Sequence, residues 1–158
     1  MLDHVSITVS DIAAAERFYD AIMKVLGVVK VGRREDWLGY GERSRPAYPD
    51  RVYISIRKGP KPEEAFGRHW CFKAKWRTQI DAFWDAGIAA GGSDDGPPGV
   101  RNNYHTSYYA AFLRDPDGNR VEASVIKRSE GQCKPDNRVG QRGARRPIAP
   151  CIRRSKAA

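Results

Sequence analysis

The chain opens with a strict alternation. In His4-Val5-Ser6-Ile7-Thr8-Val9 the polar residues His4, Ser6 and Thr8 fall on one face and Val5, Ile7 and Val9 on the other. That is the pattern of a strand with one packed and one open face. The period then changes: Ala15, Phe18, Tyr19, Ile22, Val25 and Leu26 recur at helical spacing after two residues able to cap a helix, Ser10 and Asp11, and the stripe stops at Gly27. The spacing predicts a helix covering the Val5 face. Short strands are expected over 28–31, 36–40 and 51–57, where Val52, Ile54 and Ile56 alternate with Tyr53 and Ser55. Residues 58–68, with Gly59, Pro60, Pro62 and Gly67, read as a linker.

The opening pattern then returns. In His69–Ala74 the residues Trp70, Phe72 and Ala74 share one face, and His69, Cys71 and Lys73 the other. Thr78 and Asp81 are spaced as a capping box, and Ile80, Phe83, Trp84 and Ile88 make a helical stripe. His4 to Phe18 and His69 to Phe83 are both separations of 14 residues, and Tyr19 matches Trp84. Phe18, Tyr19, Phe83 and Trp84 are therefore assigned to the core. Residues 92–107, rich in Gly and Pro, are expected to form a long loop of the kind that borders a site. A hairpin follows, turning at Asp115-Pro116-Asp117-Gly118. Its second strand places Arg120, Glu122 and Ser124 on a polar face, and Val121, Ala123 and Val125 on an apolar one. The fold class expected is α+β, with two βαβββ halves at about 1–58 and 68–126 in one domain, 1–126.

Charge changes the picture only at the end of the chain. Residues 127–158 hold ten Lys or Arg against two acids, so nearly all of the net charge of +9 belongs to this basic extension. Its low apolar content suits an appendage or a subunit contact better than nucleic-acid recognition. Cys71, Cys133 and Cys151 form no CxxC pair and are expected to be reduced bystanders. No membrane span or export signal is expected, and the cytoplasm is the expected location.

Three residues of metal-ligand type, His4, His69 and Glu122, thus stand on polar strand faces. The two His-led strands, the DPDG hairpin and the NRVEAS ending resemble the vicinal oxygen chelate family, which includes glyoxalase I, fosfomycin-resistance enzymes, extradiol dioxygenases and bleomycin-resistance proteins. The resemblance covers about residues 2–126. It implies that the paired modules form a half-open eight-stranded barrel, with one divalent metal ion, Mn²⁺, Fe²⁺, Zn²⁺ or Ni²⁺, held by His4, His69 and Glu122. The fourth ligand place of glyoxalase I falls on the 51–57 strand, which offers Tyr53 or Ser55 and no carboxylate.

Two imidazoles and one carboxylate leave open coordination positions for a bidentate oxygen ligand. The resemblance therefore implies metal-dependent chemistry on a small oxygen-rich substrate, as a glyoxalase-like lyase or isomerase or as a dioxygenase. Tyr104, His105 and Tyr108 are the candidates for the missing catalytic base. For His105, at a loop end, hydrogen bonding or substrate contact is expected rather than metal ligation. A homodimer is implied, with modules pairing within a chain or across chains. The alternative from another class is a metal-free protein that sequesters a drug or metabolite in the same cleft.

Overall fold

The structure, a computed structural model, describes residues 2–64 and 67–126. The basic extension, with Cys133 and Cys151, lies outside these residues. The first half runs β1 (His4–Val9), α1 (Ile12–Leu26), β2 (Lys30–Arg34), β3 (Trp37–Gly41) and β4 (Tyr53–Lys58). The second runs β5 (His69–Lys73), α2 (Arg77–Ala89), β6 (Ser93–Val100), β7 (Tyr108–Arg114) and β8 (Arg120–Ile126). Each half is a four-stranded sheet, ordered β1-β4-β3-β2 and β5-β8-β7-β6. The first strand of each sheet pairs in parallel with the last, His4 opposite Tyr53 and Cys71 opposite Glu122, and the other pairings are antiparallel. The two tandem modules are thus as expected, while the half-open barrel is represented within one chain by two separate sheets. Both His-led strands, β1 and β5, are sheet edges. No helix among the described residues is long and apolar enough to cross a membrane.

Helix α1 forms where the periodicity placed it. Asp11 accepts hydrogen bonds from Ala13 N at 2.8 Å and Ala14 N at 3.1 Å, taking up two of the N–H groups that a helix start leaves without partners. At the other end Gly27 adopts φ +73°, where a side chain would be strained, and the Gly27 and Val28 amides close on Lys24 O and Met23 O. That closure uses residues expected to begin a strand, so β2 starts at Lys30. The backbone hydrogen bonds to Asp11 hold its carboxyl below the ordinary aspartate range. Its contribution is therefore complete above the ordinary value and is lost as the pH falls through the lowered one. Asp11→Ala should melt a few degrees lower than the parent at neutral pH, and the difference should narrow in acid; thermal melts at both pH values check this.

Two expectations are corrected. The segment 92–107 is not one long loop, because β6 occupies Ser93–Val100 and pairs with β7. Register shifts flank Gly96, whose φ is +149°, so bulges carry Gly96, Pro97 and Pro98 along an edge strand that needs no continuous donor row. The Thr78–Asp81 capping box does not form either. The N-cap residue is Trp76, which makes no side-chain cap bond; Gln79 Oε1 instead reaches back to Lys75 N at 2.8 Å, and Asp81 accepts from the Tyr109 hydroxyl at 2.7 Å.

One apolar core spans both modules. Phe18, Tyr19, Ile22 and Met23 of α1 join Leu38 and Ile56 of the first sheet and Ile80, Phe83, Leu113 and Val121 of the second half, all essentially inaccessible to solvent. Trp84, assigned to the core, is only partly buried and spends its N–H on Asp94 at 3.0 Å. The DPDG turn is tied into the same interface. Buried Asp115 accepts from Asp117 N at 3.0 Å, Asn119 N at 2.8 Å, Asn119 Nδ2 at 2.8 Å and, from α1, the Tyr19 hydroxyl at 2.9 Å. Asn119 Nδ2 also donates to Thr8 O at 2.9 Å, and Ser10 bonds Asp117 through both its N–H and its hydroxyl. A local turn motif is thereby a joint between modules.

Candidate functional site

Each sheet turns its apolar face to the helices and leaves the other face without a covering element among the described residues. Directly opposed residues share a face. The open face of the second sheet therefore presents His69 and Cys71 on β5, Arg120, Glu122 and Ser124 on β8, and Tyr108 and Phe112 on β7. Alternation assigned Glu122 to this face, although it could not show that Glu122 would be only 2% exposed.

Around that carboxylate the side chains converge. His69 Nε2 stands 3.2 Å from Glu122 Oε2, and the Tyr108 hydroxyl donates to Glu122 Oε1 at 2.6 Å. Cys71 Sγ lies 3.1 Å from Ser124 Oγ and 3.8 Å from the Tyr108 oxygen. Burial, followed by the hydrogen bond to Glu122, pushes the Tyr108 phenol well above its ordinary range. Burial also pushes the Cys71 thiol up. Tyr104, 68% exposed, packs edge-on to the Tyr108 ring with centroids 5.4 Å apart.

The other two candidates are placed differently. His105 Nδ1 accepts from Ser107 N at 3.0 Å, so its ring folds back on its own loop. His4 lies on the first sheet, where its Nδ1 meets the Asp3 carboxylate at 2.9 Å. Beside it on that open face, the two residues at the fourth ligand place are already engaged. Tyr53 is buried beneath the Arg43 guanidinium, 4.3 Å above its ring, and Ser55 Oγ accepts from Trp37 Nε1 at 3.0 Å. The Trp37 indole lies flat because Gly32 and Gly39 sit under it; a Cβ on either would come within 2.6 Å of the ring. Among the described residues no three His, Cys, Asp or Glu side chains gather into a group able to hold a metal ion.

The His69–Glu122 pair nonetheless has the donor chemistry of a metal site. His69 Nδ1 lies 3.1 Å from Gly67 O, and a carbonyl oxygen can only accept, so Nδ1 carries the proton of that bond. In the neutral ring the Nε2 lone pair then faces a carboxylate. A nitrogen and an oxygen lone-pair donor held 3.2 Å apart are donors of the kind that a divalent metal ion takes as neighbouring ligands. Tying Nδ1 to a carbonyl or carboxylate while presenting Nε2 is the usual outer-shell arrangement of a ligating histidine. His4, with Nδ1 on Asp3, repeats it. The sequence pattern placed both histidines, and it put Cys71 and Ser124 on the same faces at i+2 spacing without assigning them a part in the site, whereas nothing in it marks Gly67 or Asp3.

Comparison with known proteins identifies the family. The sequence profile of the Glyoxalase/Bleomycin resistance protein/Dioxygenase superfamily matches residues 1–123. The chain belongs to this superfamily. The matched span of the superfamily profile contains His4, His69 and Glu122. Among superfamily structures, a glyoxalase/bleomycin resistance protein from Albidiferax ferrireducens T118 is 33% identical, with a TM-score of 0.65 over 78% of this chain and 98% of that one. A glyoxalase/bleomycin resistance protein/dioxygenase family enzyme from Burkholderia phytofirmans PsJN is 19% identical, with a TM-score of 0.60 over 79% and 98%. A glyoxalase-related enzyme from Fulvimarina pelagi, at 16% identity and a TM-score of 0.59 over 78% and 86%, shares the fold. No curated protein matches the chain.

Proposed function

We propose that this superfamily member is a divalent-metal-dependent enzyme acting on a small oxygen-rich substrate, with His69 and Glu122 as two ligands and His4 as the third. The observation that carries this reading is the His69 ring, its Nδ1 proton committed to Gly67 O and its Nε2 aimed at a nearly inaccessible carboxylate. When bound, the ion would supply Lewis-acid polarisation of a substrate oxygen. The chain's own groups do the positioning. Tyr108 donates to Oε1 and so leaves Oε2 toward His69. Tyr104 backs the Tyr108 ring, and the sheet excludes water from one side of the carboxylate.

His4 stands on an edge strand of the other sheet, so the set closes when the β1 edge of a second copy lies against the β5 edge of the first. The active unit is then a homodimer with two equivalent sites. The reaction proposed is a glyoxalase-like lyase or isomerase step, with a dioxygenation, which two imidazoles and one carboxylate equally suit when the ion is Fe²⁺, as the second reading.

Mixing His4→Ala with Glu122→Ala after joint refolding tests the shared site. Neither variant alone should retain metal, while mixed dimers should regain one intact site, read as metal content. No metal in any mixture would favour the metal-free sequestering reading. A separate variant, Tyr108→Phe, should fold normally and bind metal about tenfold more weakly, the lower end of what an outer-shell partner contributes; competition with a chelating dye measures it.

A further inference from the structure

A second feature of the same open face has a different charge. A cavity of about 510 Å³ is lined by Arg101, Asn102, Tyr104, Phe112, Arg120 and Asp95, among others. Phe112 is the direct strand partner of Glu122, so the cavity adjoins the carboxylate. The Arg101 guanidinium lies 5.1 Å above the Phe112 ring. Gly96 leaves room for this stack, since a Cβ there would stand 3.1 Å from the ring and 3.3 Å from Arg101 Nη2.

The three arginines of this region are not equivalent. Arg114 and Arg120 share the Asp95 carboxylate at 3.1 and 2.6 Å, and Arg114 also bonds Glu64 at 2.8 Å. Arg101 makes no ion pair among the described residues. The Asp94 carboxylate, which senses its charge, is occupied by Trp84 and by Gly96 N. Arg101 Nη2 donates to Pro97 O at 2.5 Å and Ala110 O at 3.4 Å, which suffices to tie down the loop. Its Nε is nevertheless buried with no hydrogen-bond partner among the described residues. A buried N–H is a costly thing to leave without an acceptor.

We infer that Arg101 binds the anionic group, a carboxylate or a phosphate, of the small molecule handled at the His69–Glu122 site. The inference rests on the reading of this face as the binding face and adds the substrate class: an organic acid or phosphate ester whose second oxygen function reaches toward Glu122. Guanidinium donors suit either group, because both offer paired acceptor oxygens. The Phe112 ring beneath the cation excludes water from one side.

The test uses metal-free, full-length protein with ¹⁵N-labelled arginine, titrated with inorganic phosphate and separately with acetate, against chloride at matched ionic strength. The Arg101 Nε–H resonance, assigned by its absence in Arg101→Lys, should shift saturably with phosphate or with acetate and not with chloride. The stronger of the two names the group. Arg101→Gln should weaken that binding by about tenfold or more, the loss of one charge-assisted hydrogen bond. Gly96→Ala, which crowds the stack, should weaken it as well and serves if Arg101→Gln does not fold. Binding should persist in Glu122→Ala, so a failed metal site does not remove this result. A resonance that moves equally with chloride, or unchanged affinity in the folded Arg101 or Gly96 variant, would overturn the inference.

Discussion

Glu122→Ala is expected to lose the metal altogether while keeping the fold. The carboxylate is 2% exposed, and it is the only one that faces the His69 Nε2 at ion-pair distance among the described residues. Removing it takes away the anionic ligand itself, so affinity should fall by more than about 100-fold, beyond the range that outer-shell changes produce. The unloaded variant should still melt within a few degrees of the unloaded parent, because the deletion also removes a buried charge. The Tyr108 hydroxyl would remain beside the Cys71 thiol, itself bonded to Ser124. Equilibrium dialysis with Mn²⁺ or Zn²⁺, alongside thermal melts, separates loss of the ligand from loss of the fold. A variant that binds the ion as tightly as the parent would remove Glu122 from the ligand set.

Asp115→Ala should have the largest effect on stability. Four donors converge on this buried carboxylate, and one of them, the Tyr19 hydroxyl, comes from the other module. Burial pushes the Asp115 carboxyl above its usual range against the pull of those hydrogen bonds. Truncation would leave Asn119 N, Asn119 Nδ2 and the Tyr19 hydroxyl without their acceptor in the interior. The cost should be about 3 kcal/mol, a typical value when a buried charged hydrogen-bonding group is removed. For a domain of this size that corresponds to a melting temperature lower by about 10 °C. Asp115→Asn should be nearly as damaging, because its amide NH₂ would face donors. Urea denaturation measures both, and a loss below about 1 kcal/mol would show that the joint contributes no more than an ordinary hydrogen bond.

These two residues mark what the sequence conveys and what it withholds. Alternation assigned faces correctly in β1, β5 and β8, because in a half-buried strand the face is set by a period of two and by nothing farther away. His69, Cys71 and Glu122 were therefore legible as neighbours on one surface. What closes around them was not. The Gly67 carbonyl that fixes the His69 tautomer, and the fourfold hydrogen bonding of Asp115, depend on chain geometry over distances that no periodicity encodes. The DPDG motif announced a turn, yet its first aspartate serves a contact with Tyr19 that lies 96 positions away.

The misread segments have equally local causes. Gly96, Pro97 and Pro98 carry strong loop signals, and β6 tolerates them because it is an edge strand broken by bulges. The apparent capping box at Thr78 failed because the Asp81 side chain has a better-placed partner in the Tyr109 hydroxyl. Arg101, alone in a loop, gave no signal at all. Its significance comes from the Nε atom, which is buried without an acceptor among the described residues.

A divalent ion at the His69–Glu122 site would be held by two imidazoles and one carboxylate. The most direct measurement is X-ray absorption at the metal edge of full-length protein loaded with one equivalent of Zn²⁺. Bound Zn²⁺ should show a first shell of nitrogen and oxygen at about 2.0–2.1 Å with the outer-shell scattering of two imidazoles, a signal that His4→Ala and His69→Ala, which should retain no zinc after desalting, should lack. A shell with no imidazole scattering, or one unchanged by either substitution, would contradict this ligand set.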